Sequence, residues 1–155
     1  MKSKPVYNPL TLDTSARRHV FVAEGQDAVA ALNDIVYAAE QSNTANSKVR
    51  VLVACSESVL IDALQMEEMD TAFYVAGAER FIWEVHRMLR NAGVAETRIQ
   101  LALAGNVARS VYCIHCGTID GLVEDTTHTC TRCGTVLVVR DHFSRYHGAY
   151  MGVRA

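Results

Sequence analysis

Only two prolines and a single tryptophan stand in these 155 residues, and no apolar run approaches the roughly 20 residues that a membrane-spanning helix needs. The opening Met1-Lys-Ser-Lys-Pro5 has no apolar stretch of the kind that begins a secretory signal, so a cytoplasmic protein without a membrane partner is expected. An excess of charge of one sign is also missing. Fifteen basic against 17 acidic side chains give a formal charge of -2 and a pI near 6.3, which argues against a non-specific binder of nucleic acid or membrane surfaces. Disorder does not fit either: half the residues are hydrophobic and 21% are charged, enough to bury a real core. The length suits one compact domain, or a slightly smaller one with an appendage.

Cysteine is sparse but concentrated. Of five, Cys55 stands alone, while Cys113, Cys116, Cys130 and Cys133 fall within 21 residues as C-x2-C-x13-C-x2-C. In a reducing compartment such a cluster reads as a metal site; two disulfides are the alternative, and the missing secretory signal counts against them. A tetrahedral Zn²⁺ takes four thiolates, and each C-x-x-C turn offers two from one tight loop. Gly117 and Gly134 directly follow the two pairs and allow the positive φ that such a knuckle usually needs. Iron is the competing metal. A rubredoxin-like site usually carries proline and aromatic residues around its second pair, whereas here Thr131-Arg132 lie between the ligands and the loop holds no aromatic residue, so zinc is expected. His115 and His128 flank the ligands, but four thiolates already fill the shell, so they are read as surface or outer neighbours.

Upstream, the pattern alternates. His19–Ala23 is a short apolar run, followed by Val29, Leu32, Ile35, Val36 and Ala39 at helical spacing, with Asp27 as the expected N-cap and Ser42-Asn43 as the stop. Val49–Ala54 is a second strand, and Ser56 opens a helix carrying Val59, Leu60 and Leu64. Thr71–Ala76 is a third strand, Phe81, Ile82, Val85, Met88 and Leu89 mark the strongest helix, and Arg98–Leu103 is a fourth strand. Strands alternating with helices predict an α/β fold: a short parallel sheet with flanking helices, followed by a small β-rich zinc ribbon. The expected segments are an N-terminal arm over 1–17, an α/β module over 18–108, and a ribbon with a C-terminal docking tail over 109–155, the texture changing between Gly105 and Ser110.

Below about 45 residues a ribbon cannot make a sufficient core, so the metal would contribute folding energy directly. From Tyr112 to Ala155 there are four arginines, no lysine and four acidic residues. Four thiolates around zinc add about two negative charges. This is the wrong footprint for a nucleic-acid adaptor, and a structural zinc supporting a protein contact is the better reading. The tail mixes Phe143, Tyr146, Tyr150 and Met151 with Arg140, Arg145, His142 and His147. That composition suits an interface, or a tail folded back over the α/β module; no constellation supports catalysis by His142 or His147.

The segment Phe73–Phe81, the helix ending Asn91-Ala-Gly93-Val, and Arg98-Ile-Gln-Leu together resemble the last β-α-β unit of the nicotinamide-binding domain of ferredoxin–NADP reductase-like flavoproteins. Gly77 matches that family's glycine, while Ala76 and Ala78 replace its cysteine and proline. Phe21–Ala28 occupies the place of the pyrophosphate-cradling turn, but only Gly25 remains of its glycines, and Glu24 and Asp27 bring carboxylates where phosphates would lie. The resemblance implies Gly25, Gly77 and Arg80 as the residues nearest a nucleotide, in a domain that has no room for a flavin-binding barrel. Joined to the double C-x-x-C-G and the ending His142-Phe-Ser-Arg145 … Ala149-Tyr-Met-Gly152-Val, the whole chain resembles the small-subunit family of bacterial dimethylamine monooxygenase. That resemblance implies a hetero-oligomeric complex catalysing NADPH- and O2-dependent N-demethylation. Flavin, [2Fe-2S] and haem are expected on partner subunits and zinc alone in this chain. An electron-transfer component with iron in the thiolate site is the alternative.

Overall fold

The computed structural model describes residues 3–42, 48–53, 58, 59, 61, 70–106 and 108–155. The four runs that read as strands assemble into one parallel sheet: β1 (Arg18–Ala23), β2 (Lys48–Val53), β3 (Thr71–Gly77) and β4 (Ile99–Leu103), in the order β2-β1-β3-β4. β3 is buried along its whole length, as expected of a parallel strand covered on both faces. Side-chain alternation divides the core. Phe21, Ala23, Tyr74 and Ala76 face helix α1 (Gln26–Gln41) through Ala28, Leu32, Ile35 and Ala39. Val20, Val22, Phe73 and Val75 face the opposite side, with Ile82, Val85 and Leu89 of α2 (Glu79–Asn91).

Two details differ from the sequence reading. Gly25, at φ +83°, is the N-cap of α1, and Asp27 falls in the first turn, where its charge complements the helix N-terminus without a capping hydrogen bond. The stop is as expected at Ser42, whose N–H donates to Ala38 O and whose hydroxyl donates to Ala39 O. A turn of 3₁₀ helix (Glu96–Arg98) precedes β4. Asn43, Ala54, Cys55, Ser56, Leu60 and Leu64 lie outside the described residues.

Beyond Ala108 the chain builds a second sheet from β5 (Arg109–Cys113), β6 (Ile119–Val123), β7 (Thr127–Thr129), β8 (Val136–Ser144) and β9 (Ala149–Arg154), in the order β6-β5-β9-β8-β7. Val111, Leu137, Phe143 and Tyr150 join the α2 face of the parallel sheet in one continuous apolar cluster. Trp83 is the joint: its ring centroid lies 5.6 Å from that of Phe143, and the Arg145 guanidinium sits 5.6 Å above it. The C-terminal tail therefore folds back over the α/β unit through Phe143 and Tyr150, with Tyr146 left exposed.

The N-terminal arm laces both sheets. Ser3 bridges to His142, Lys4 pairs with Asp141 at 2.9 Å, and Thr11 and Gln100 exchange two hydrogen bonds. Tyr7 accepts from Trp83 Nε1 (2.9 Å) and donates to Glu79 Oε1 (2.7 Å), which also receives the Tyr150 hydroxyl at 3.4 Å. Burial and the adjacent carboxylate keep both phenols protonated, Tyr150 being pushed up to about 12 and Tyr7 further.

His19 is buried at 2% exposure, with Nδ1 3.2 Å from the Tyr74 hydroxyl, and burial holds its pKa below the ordinary value. A lowered folded-state pKa means that the unfolded chain takes up a proton the folded chain refuses. Stability is therefore full above the unfolded pKa of about 6.5 and is lost as pH falls below it. Urea midpoints should drop between pH 7.5 and 5.5, and His19→Gln should flatten that interval. An equal drop in the variant would assign the pH dependence elsewhere.

Candidate metal centre and strand-end cleft

The two knuckles are built alike. Cys113 N–H donates to Thr118 O and Gly117 N–H to Cys113 O; Cys130 N–H donates to Thr135 O and Gly134 N–H to Cys130 O. Both glycines take the left-handed conformation, at φ +76° and +70°, which closes each turn. β5 delivers the first knuckle and the segment between β7 and β8 the second, so the fold brings together cysteines that lie 20 residues apart.

The four sulfurs lie within 4.8 Å of one another, with Cys113–Cys133 at 3.8 Å and Cys116–Cys130 at 3.6 Å. Disulfide sulfurs would stand about 2.05 Å apart. Metal–sulfur bonds of about 2.3 Å in a tetrahedron place sulfurs about 3.8 Å apart. The spacing thus fits four thiolates around one ion, and the cluster can hold a metal. Cys113 and Cys130 are buried, whereas Cys116 and Cys133 are partly exposed.

Threonines tune the exposed pair. Thr118 Oγ1 lies 3.4 Å from Cys116 Sγ and Thr135 Oγ1 3.2 Å from Cys133 Sγ, and in the thiolate form each hydroxyl donates. The Thr118 hydroxyl lowers the Cys116 pKa, and Thr135, with help from His115, brings Cys133 down to about 5. Both sulfurs are thereby prepared to bind as anions. The sequence carries a signal for these threonines in its repeated C-x-x-C-G-T.

A buried carboxylate braces the second knuckle. Asp120 Oδ2 accepts from Thr131 N–H (3.0 Å) and lies 2.7 Å from His128 Nε2, while Oδ1 accepts from the Thr131 hydroxyl. Burial would push Asp120 up, but these hydrogen bonds outweigh it and hold the carboxyl below the usual range. His128 therefore serves the brace rather than the sulfur cluster, and His115 lies beside Cys133. Asp120 carried no motif; only the fold brings it to Thr131.

The residues named for a nucleotide lie at the carboxyl ends of β1 and β3, between which the strand order reverses. In open α/β sheets this is where ligands bind. Gly25 caps α1, Gly77 ends β3 and Arg80 lies in the first turn of α2. Gly77 is required by close approach: a methyl group there would stand 2.7 Å from Phe81 Cδ1 and 3.0 Å from Glu24 Cβ. A cleft of about 330 Å³ is lined there by Glu24, Arg80, Phe81, Glu84 and Leu122 among others; Gly25 and Gly77 do not line it. Two carboxylates against one guanidinium give it no preference for an anion. Of the tail histidines, His142 Nδ1 lies 3.1 Å from Ser3 Oγ, and His147 stacks on Tyr112 at 4.0 Å. No helix among the described residues is long and apolar enough to cross a membrane.

Residues 110–153 match the family described as "Dimethylamine monooxygenase subunit DmmA-like, C-terminal domain". The chain is also 36% identical over 103 residues to the "Heme-dependent oxidative N-demethylase delta subunit" of Ectopseudomonas mendocina (strain ymp). That match takes in 66% of this chain and 59% of the relative, so the chain spans less than two thirds of the relative's length.

Proposed function

Because the chain belongs to the DmmA-like small-subunit family of dimethylamine monooxygenase, we propose that it is a zinc-binding, non-catalytic subunit of an NADPH- and O2-dependent N-demethylating complex. It acts in the cytoplasm and serves to assemble or position its partners. Cys113, Cys116, Cys130 and Cys133 hold the ion. Flavin, [2Fe-2S] and haem belong to the partner subunits.

The observation that carries this reading is the four-sulfur cluster, with spacing suited to a tetrahedral ion and backbone turns that close around it. When bound, zinc supplies no redox chemistry; it fixes two distant turns of the second sheet. The charge balance of the strand-end cleft is consistent with an α/β unit used as a scaffold.

The purified chain should carry about one zinc per molecule, remain colourless and fail to oxidise NADPH. Metal analysis by mass spectrometry and an NADPH absorbance assay decide the matter. A red iron–thiolate spectrum would instead favour the electron-transfer component, with Gly25, Gly77 and Arg80 beside its nucleotide. NADPH turnover by the isolated chain would refute the non-catalytic role.

A further inference from the structure

We propose that the bulge at Gly121–Leu122 is a docking knob for another subunit of the same complex, with Leu122 entering an apolar socket and Arg80 meeting a carboxylate at its rim. This rests on the assembly role proposed above and assigns it a surface.

The knob begins as a register fault. Between the pairs Arg109–Val123 and Val111–Asp120, β5 spends one residue, Ser110, whereas β6 spends two, Gly121 and Leu122. The extra residue places Leu122 at φ +59°, the one non-glycine with positive φ among the described residues, and leaves it 76% exposed. A left-handed backbone is unfavourable for an L-residue and open to glycine. Burial would be the usual compensation for a leucine, and Leu122 has little. The fold thus keeps an apolar side chain in solvent, in a backbone conformation that opposes it. Such outliers cluster where a chain meets something else.

Its neighbourhood narrows the occupant. A methyl group on Gly121 would stand 3.5 Å from Arg80 Nη1, so the guanidinium runs alongside the bulge, and no carboxylate of the described residues pairs with it. Arginine is among the residues that dominate interface energies. β6 is an edge strand, but a bulge interrupts its ladder and turns the edge away from strand addition, which favours docking by side chains. Arg80 and Leu122 line the same cleft as Glu24 and Glu84, whose carboxylates disfavour a free small anion there. The similar relative is itself a delta subunit.

The test co-expresses the full-length chain with the remaining subunits of the complex and measures its affinity for them. Leu122→Gly, and Leu122→Asn as a second residue tolerant of positive φ, should melt at or above the wild-type temperature yet bind at least roughly tenfold more weakly. Arg80→Glu should also weaken binding and reduce its salt dependence. Unchanged affinity in all three variants overturns the docking role while leaving the assembly reading intact. Lower stability in both Leu122 variants would make the leucine a packing residue, and saturable NADPH binding lost in Arg80→Ala would make the cleft a nucleotide site; either overturns the inference. A wild-type chain that fails to associate sinks the assembly reading, and this inference with it.

Discussion

Cys113→Ser should lose the metal and, with it, the second sheet. Cys113 is fully buried at the end of β5, between its partners β6 and β9. A serine hydroxyl there is a poor metal donor and leaves an incomplete set of three thiolates, of which only Cys130 is buried. Apparent binding energies of structural zinc are about 10–16 kcal/mol in small fingers, and this is folding energy because no site exists in the unfolded chain. The gain exceeds what the few apolar residues of residues 109–155 can supply alone, since small units bury too little surface. Expected results are a metal content well below one per chain and rapid hydrogen exchange through β5, β8 and β9. Thr118→Val and Thr135→Val separate ligation from tuning: each should retain the metal, because all four sulfurs remain, and destabilise far less than Cys113→Ser. Full metal content and unaltered exchange in Cys113→Ser would refute the structural role of the site.

The thiolate set was legible from sequence because its chemistry is local. C-x-x-C-G fixes two sulfurs and a left-handed turn within five residues, and no tertiary information is needed to read it. The four parallel strands were legible for a related reason: continuous apolar runs such as Thr71–Ala76 signal burial on both faces. What surrounds the sulfurs was not. Asp120 meets Thr131 eleven residues away only because β6 and the second knuckle converge. Tyr7 reaches Glu79 and Trp83 across more than 70 residues from an arm without periodicity. Leu122 is an ordinary strand residue in sequence, and its φ follows from one extra residue opposite Ser110, a property of pairing.

Trp83→Ala is expected to have the second largest effect and tests whether the two sheets share one core. Trp83 is buried on α2, packs at a tilt against Phe143, lies under Arg145 and donates its indole N–H to Tyr7. A large-to-small change at such a position costs about 3–5 kcal/mol, a large share of the roughly 5–15 kcal/mol available to a domain. For a chain of this size the melting temperature should fall by roughly 6–20 °C. The form of the transition matters more than its size. One apolar cluster runs from Val20 and Phe73 through Ile82 and Trp83 to Val111 and Phe143, so a single transition should persist, with metal released in the same step. Trp83→Phe, which keeps a ring but leaves Tyr7 without its donor, should lose less. Two separate transitions, with the sulfur cluster keeping its metal through the first, would show the sheets to be independent. Trp83 is the sole tryptophan of the chain, which permits the converse experiment in the wild type. Chelation should withdraw Phe143 and Arg145 from the indole and shift its emission to the red; an unmoved spectrum after complete metal removal would mean that the second sheet does not depend on the ion for its contact with α2.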